Sequence, residues 1–119
     1  MRKVRAVEAI VVSPLTRALQ TMRGAFKGDN LPIHVTALHT ELMDTSGDVG
    51  RSPSELKQEF PDLDFSRLEE QWWYAGPDPD MICAEPAAHV RERMEKFRAY
   101  LRALPYTRIA VVGHSQYVL

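Results

Sequence analysis

The sequence predicts an α/β fold, a three-layer sandwich around a mostly parallel sheet. Two short apolar runs, AIVV at 9–12 and RIAVVG at 108–113, have the pattern of strands buried on both faces of a parallel sheet. Amphipathic helical patterns lie between them, and this alternation is typical of α/β layers. The C-terminal run ends at a small residue followed by His114, and the N-terminal run ends at Ser13.

Composition narrows the class of protein. The chain has 119 residues, near the common size of one domain, so we expect a single domain over 1–119. Its composition, with 45% hydrophobic and 26% charged residues, is typical of a soluble globular protein. Its net charge of −1 provides no overall positive charge that would attract nucleic acid. Cys83 has no partner cysteine, and no zinc-type spacing, signal peptide or membrane-spanning run appears. We expect a cytoplasmic protein without a metal, cofactor, membrane or nucleic-acid partner.

The first strand runs into a tight turn and a helix. Ser13 suits a helix cap, and Pro14 suits the first helical position, where its missing N–H costs nothing. The residues after Pro14 place one apolar face at helical spacing, until Gly28 and the polar residues after it end the element. That face consists of Leu15, Ala18, Leu19, Met22 and Phe26.

The middle of the chain contains a shorter strand and less regular structure. The segment IHVTAL at 33–38 predicts a second strand, and the segment 39–51, rich in Gly, Asp, Ser and Thr, predicts a loop. Ser52 followed by Pro53 predicts the start of a short helix that Pro61 closes. Another helical turn or two is expected within 64–76, before the loop GPDPD.

The longest helix is predicted to begin with Pro86 at its first position and to end at about Leu104, before Pro105. A strand follows directly. The apolar face of the helix consists of Val90, Met94, Phe97, Leu101 and Leu104.

Two segments are predicted to meet at one edge of the sheet. In open α/β sheets, ligands bind beyond the carboxyl ends of the strands. Arg17 lies on the first helical turn after one strand, and His114 directly follows another. The first turn of a helix favours an anion, and a guanidinium can hold a phosphate through two parallel hydrogen bonds. We therefore predict a phosphoryl site that contains Arg17 and His114.

The motifs around these residues support that prediction. SPLTRALQT at 13–21, joined to a distant GHS at 113–115, resembles the histidine phosphatase superfamily, the phosphoglycerate mutase-like proteins. Leu38 and Glu41 also fit the leucine and glutamate that this family carries after its middle strand. The resemblance covers essentially the whole chain, and it implies a phosphoglycerate mutase-like fold with a variable insert at about 42–84.

The resemblance implies a covalent mechanism. One histidine attacks phosphorus, becomes phosphorylated, and is then dephosphorylated by water or a second substrate. In this scheme the phosphoryl group is bound by Ser13, Arg17 and His114. His114 also donates hydrogen bonds to the phosphoryl oxygens as negative charge develops on them, and Glu41 protonates the leaving group. The implied substrate is a phosphorylated small molecule, and the mechanism uses no cofactor or metal.

The sequence also departs from the family pattern. The family's nucleophile lies in an Arg-His-Gly motif on a strand before the Ser-Pro-Leu segment, whereas residues 1–12 contain no histidine. Family members also continue beyond Gly-His-Ser. We therefore expect a partial domain, incomplete at both ends, with little or no phosphatase turnover. Because the missing strand is central in the family, we expect a gap or exposed edge groups unless the strands at Val11 and Val111 pair directly. We also expect a marginally stable, aggregation-prone or homo-oligomeric molecule.

Three alternatives stay open. His34 and His89 are expected to be packing or surface residues, while His39 is the histidine that could approach the site in place of the missing nucleophile. The chain is either a fragment of an active enzyme or a pseudoenzyme that binds phosphorylated ligands or proteins without catalysis. In an α/β-hydrolase reading, Ser115 would be the nucleophile, but Tyr117 stands where that motif requires glycine.

Overall fold

A computed structural model describes residues 6–41, 43, 46–76 and 83–114. The loop expected at 77–80 and Ser115 of the hydrolase alternative lie outside the described residues. The elements are the strands β1 (Ala9–Val12), β2 (Ile33–Val35) and β3 (Ile109–Val112), the helices α1 (Thr16–Ala25), α2 (Pro53–Glu59) and α3 (Ala87–Ala103), and a 3₁₀ turn at Ser46–Asp48.

The three strands form one parallel sheet in the order β2-β1-β3. All four residues of β1 are at most 1% exposed, as expected for an apolar strand with a neighbour on each side. Val11 lies opposite His34 on one side and Val111 on the other. The predicted α/β class is confirmed, and the arrangement is compatible with a phosphoglycerate mutase-like fold.

The strands at Val11 and Val111 pair directly, so no gap separates the two motif-bearing segments. The prediction that the C-terminal strand is buried on both faces is wrong. β3 is only half-buried, and Val111 is 41% exposed, because β1 is its sole strand neighbour within the described residues. The association and low stability expected from an exposed edge stay predictions.

The main core lies on the sheet face that carries Ile10 and Val12. The predicted apolar face of α1 packs there, and each fully buried aliphatic side chain contributes about 1.5–3 kcal/mol. Side chains from α2 and the chain after it complete the cluster. They are Leu56, Phe60, Leu63 and Phe65. Trp72 packs against the same cluster, which agrees with a structural role for this tryptophan.

The long helix α3 contributes Phe97, which is fully buried, while Val90, Met94 and Leu101 on the same face are half-buried. The Phe97 ring stacks on the His39 ring with centroids 4.4 Å apart. Pro86 occupies the N-cap position, so the helix begins at Ala87, one residue later than predicted. The helix therefore packs on the turn that follows β2, next to the carboxyl edge of the sheet.

Several boundaries differ from prediction because side chains compete for backbone groups. α1 begins at Thr16 rather than at Pro14, and Ser13 Oγ accepts the Leu15 N–H at 3.3 Å just before the helix. β2 ends at Val35 rather than at Leu38, since Thr36 Oγ1 accepts the Leu38 N–H and turns the chain. The helical turns expected within 64–76 are absent from this described segment. There, Asp64 accepts the Ser66 N–H in a side-chain turn.

The remaining local predictions agree with the structure. Ser52 Oγ accepts the Glu55 N–H and caps α2. After α1, Gly28 has φ of 86°, a left-handed conformation in which glycine has no Cβ penalty. Gly50 is required for a different reason, because a Cβ there would lie 2.5 Å from the Trp72 ring. Gly50 is thus packed closely against Trp72 and Trp73 within the same inserted segment.

Candidate phosphate site

The two predicted motif segments meet at the carboxyl edge of the sheet. Arg17, Glu41 and His114 line the same pocket of about 240 Å³. α1 supplies Arg17, the loop after β2 supplies Glu41, and the residues after β3 supply His114. The remaining lining residues are Ala18, Thr21 and Gly113. A guanidinium, a carboxyl group and an imidazole thus line one pocket.

Ser13 connects the three segments from beneath the pocket. Its side chain is fully buried, and its N–H donates to the Val112 carbonyl at 3.1 Å. Its hydroxyl donates to Thr40 Oγ1 at 3.3 Å and lies 2.8 Å from His114 Nε2. Because the hydroxyl proton points to Thr40, Ser13 Oγ is free to accept the Nε2–H of His114. Ser13 therefore orients the imidazole and does not line the pocket itself.

Arg17 is held by the 3₁₀ turn of the inserted segment. Its Nη1 donates to the Gly47 carbonyl at 2.7 Å, and its Nη2 lies 3.2 Å from Asp48 Oδ1. The Arg17 side chain is 49% exposed, whereas that of Asp48 is 9% exposed. The Asp48 carboxylate occupies a guanidinium edge that could also bind a phosphate.

His114 is electrostatically suited to remain neutral until an anion arrives. Burial, together with the positive charges of Arg17 and Arg93, lowers its pKa from 6.5 to about 4, while Asp48 acts in the opposite direction. A bound phosphate would add negative charge beside the ring and favour its protonation. Because the neutral ring already donates its one N–H to Ser13, the imidazole can donate to an oxyanion once it is protonated and its second nitrogen also carries a proton.

The other three histidines do not line the pocket. His39 is 1% exposed, and its Nε2 donates to the Val112 carbonyl at 2.9 Å, beneath Gly113. His34 Nε2 lies 3.3 Å from the Tyr106 hydroxyl, and His89 Nδ1 is paired with Glu85. His39 thus approaches the site from beneath Gly113, but its buried ring is bonded to the Val112 carbonyl and does not line the pocket.

A larger cavity of about 460 Å³ lies between α3 and the segment at 67–72, and it contains neither Arg17 nor His114. Among the described residues no group of His, Cys, Asp and Glu side chains is arranged to hold a metal ion. None of the helices in the described part of the chain has the length and apolarity needed to cross a membrane.

Comparison with known proteins agrees with this geometry. The profile of the histidine phosphatase superfamily (branch 1) matches residues 1–118, and the chain therefore belongs to this superfamily. The chain is similar to a probable phosphatase from Schizosaccharomyces pombe, with 27% identity over 113 residues. That alignment covers 92% of this chain and 51% of the relative, so the chain spans about half the length of this curated relative. No solved structure matches the chain significantly.

The Arg17–Asp48 pair leads to a first prediction. We expect Asp48→Asn to tighten inorganic phosphate binding about three- to tenfold, because the carboxylate that competes for Arg17 and repels the anion is removed. Isothermal titration calorimetry at pH 7.5 measures this change. Asp62→Asn is the matched control, since Asp62 pairs with Arg23 on the same helix, outside the pocket. Equal effects of the two substitutions would contradict the prediction.

The buried imidazoles lead to a second prediction. Burial lowers the pKa values of His39 and His114 from 6.5 to about 4 in the folded protein. Between these values the unfolded chain binds more protons, so the free energy of unfolding should fall as the pH decreases from about 6.5 to 4. Urea denaturation at several pH values measures the slope. His39→Gln should flatten it, and an unchanged slope in that variant would rule out the His39 contribution.

Proposed function

We propose that this chain provides the phosphate-binding and proton-donating part of a phosphoric monoester site. The observation that carries the proposal is the convergence of Arg17, Glu41 and His114 on one pocket. Membership of the histidine phosphatase superfamily and the similarity to a probable phosphatase support a phosphatase-type reaction. The proposed substrate is a small phosphate ester, whose phosphoryl group would occupy the pocket. We also expect the protein to be cytoplasmic.

Each residue has a distinct role in this proposal. Arg17 binds two phosphoryl oxygens at the first turn of α1, where the helix dipole adds to its charge. His114, oriented by Ser13, donates to a third oxygen and stabilises the charge that develops there. Glu41 is 8% exposed and lines the same pocket, where a carboxyl group can protonate the departing ester oxygen.

We further propose that these 119 residues alone bind phosphate esters better than they hydrolyse them. In the family mechanism a second histidine attacks phosphorus. The contacts of His34, His39 and His89 engage their rings elsewhere in the fold. Loss of a nucleophile typically costs several orders of magnitude in rate, while phosphate binding is retained. Binding of phosphorylated ligands without turnover is the alternative function on the same site.

Two assays on the same protein test the proposal. Calorimetric titration with inorganic phosphate should show saturable binding at a stoichiometry of one. Hydrolysis of p-nitrophenyl phosphate should be close to the uncatalysed rate, with any residual activity lost in Arg17→Ala. Absence of saturable phosphate binding at millimolar concentrations would refute the binding site. Rapid turnover that passes through phosphohistidine would refute the proposed lack of a nucleophile.

A further inference from the structure

A buried ion pair lies beside the loop that carries Glu41. The Glu85 side chain is 1% exposed and the Arg93 side chain 13% exposed. Arg93 donates through Nε to Glu85 Oε2 at 2.7 Å and through Nη2 to Glu85 Oε1 at 2.8 Å. This is a two-pronged guanidinium–carboxylate pair, the geometry that best fixes both partners. The ion pair joins the first turns of α3 to the residue that precedes the helix.

The same two side chains bind the Glu41 loop on both sides of Glu41. Before it, Arg93 Nη1 donates to the carbonyls of Leu38 and Thr40 at 2.9 and 3.0 Å. After it, Glu85 Oε1 accepts the Met43 N–H at 3.3 Å. The Glu85 N–H also donates to the Met43 carbonyl at 2.8 Å. The backbone is thus anchored one residue before Glu41 and two residues after it.

We propose that Glu85 and Arg93 are positioning residues for Glu41, which they hold at the rim of the phosphate pocket by anchoring its loop at both ends. The proposal rests on the proposed function of this pocket. Neither side chain lines the pocket, so both act through the loop rather than by touching the phosphoryl group.

Stability of the fold alone does not account for such a pair. Charges taken out of water lose their hydration, and well-packed apolar side chains of similar size often stabilise a protein as well or better. Apolar side chains, however, could not bind two carbonyl oxygens and one amide at fixed positions. Burial alone would raise the pKa of Glu85, but hydrogen bonds from Arg93 and His89 outweigh burial and lower it. Glu85 therefore stays charged and keeps Arg93 aligned.

Arg93→Lys is the variant that separates geometry from charge. Lysine keeps the positive charge, but an ammonium cannot reach the Glu85 carboxylate and both carbonyls in the planar arrangement of a guanidinium. We expect hydrogen exchange of the Thr40 and Glu41 amides to become at least tenfold faster, with exchange in β1 unchanged. Lys96→Arg is the matched control on α3, since Lys96 pairs with Glu92 at the surface. Lys96→Arg should leave hydrogen exchange unchanged both at Thr40 and Glu41 and in β1.

Glu85→Gln is a second variant, which keeps the side-chain shape and one acceptor oxygen. If Arg93→Lys speeds hydrogen exchange throughout the sheet, that variant is globally destabilised. Glu85→Gln then tests whether the ion pair orders the Glu41 loop. Exchange of the Glu41 loop at the normal rate in the variant that stays folded would overturn the proposal. This readout does not depend on whether the pocket binds phosphate.

A double-mutant cycle tests whether the ion pair acts through Glu41. Phosphate affinity is measured by calorimetry in the unaltered protein, Arg93→Lys, Glu41→Gln and the double variant. A released Glu41 moves away from the anion, so Arg93→Lys should tighten phosphate binding about two- to threefold when Glu41 is present. It should have less than a 1.5-fold effect when Gln replaces Glu41. Equal effects in both backgrounds, or weaker binding in both, would overturn the positioning role.

The outcome also separates this inference from the proposed function. If the unaltered protein binds no phosphate, the pocket assignment fails, whereas the exchange measurements still report whether the pair orders the loop. If phosphate binds normally but the cycle shows no coupling, the pocket assignment stands and the positioning role fails.

Discussion

Replacing Arg17 with glutamine is expected to weaken inorganic phosphate binding about 30- to 100-fold. Arg17 is the one cationic side chain among the described residues that line the pocket of Glu41 and His114, apart from His114 itself when protonated. A hydrogen bond to a charged partner contributes about 1.5–3 kcal/mol, and a guanidinium can supply two. Glutamine keeps polarity and much of the length but loses the charge. Isothermal titration calorimetry at pH 7.5 measures the change.

Arg23→Gln is the matched control for Arg17→Gln. Arg23 lies on the same helix, less than two turns further along, where it pairs with Asp62 and lies over the Phe60 ring at 5.0 Å. It does not line the pocket, so phosphate affinity should change less than twofold. A loss of less than threefold in Arg17→Gln, or equal losses in the two variants, would contradict the assignment of Arg17.

The largest expected effect on stability comes from Phe97. Its side chain is fully buried on α3 and stacks on the His39 ring. Phe97→Ala should lower the free energy of unfolding by about 3–5 kcal/mol, because it removes buried apolar area and leaves a cavity beside the imidazole. Urea denaturation followed by circular dichroism measures this loss.

Arg98→Ala is the control for Phe97→Ala. Arg98 is exposed on the same helix, and substitutions at such surface positions usually change stability by less than about 0.5 kcal/mol. A loss of less than about 1 kcal/mol in Phe97→Ala would show that α3 does not pack on the turn after β2 as described.

The sequence predicted the elements whose determinants are local. The apolar run at 9–12, the turn residues after it and the helical spacing from Leu15 onward were sufficient for β1 and α1. The same local signals predicted the Ser52 cap. The rule that ligands bind at the carboxyl edge of a parallel sheet was sufficient to predict that Arg17 and His114 meet, and the structure places both on one pocket.

Other features depend on contacts between distant residues, which the sequence pattern does not contain. Asp48 looked like any other acidic loop residue, and its pairing with Arg17 arises because the insert folds back on α1. Arg93 looked like a solvated residue of a helix, and its role is apparent only once Leu38 and Thr40 lie beside it. The exposure of Val111 likewise follows from its place in the sheet, because an apolar run alone does not say how many neighbours a strand has.

The early end of β2 and the irregular 64–76 segment show a third limit of prediction from the sequence. There, hydroxyl and carboxylate groups at Thr36 and Asp64 bind nearby backbone N–H groups and form turns. Such local side-chain bonds compete with strand and helix on nearly equal terms, so the pattern of apolar residues does not decide between them.

The central claim is that Arg17 and His114 enclose the same oxyanion, and nitrogen-15 NMR of both side chains during a phosphate titration tests it most directly. We expect the guanidinium signals of Arg17 and the imidazole signals of His114 to shift together, with a single dissociation constant. In Arg17→Gln the His114 shift should be lost over the same range of phosphate concentration. A His114 signal that does not respond to phosphate, or one that follows a different dissociation constant, would contradict it.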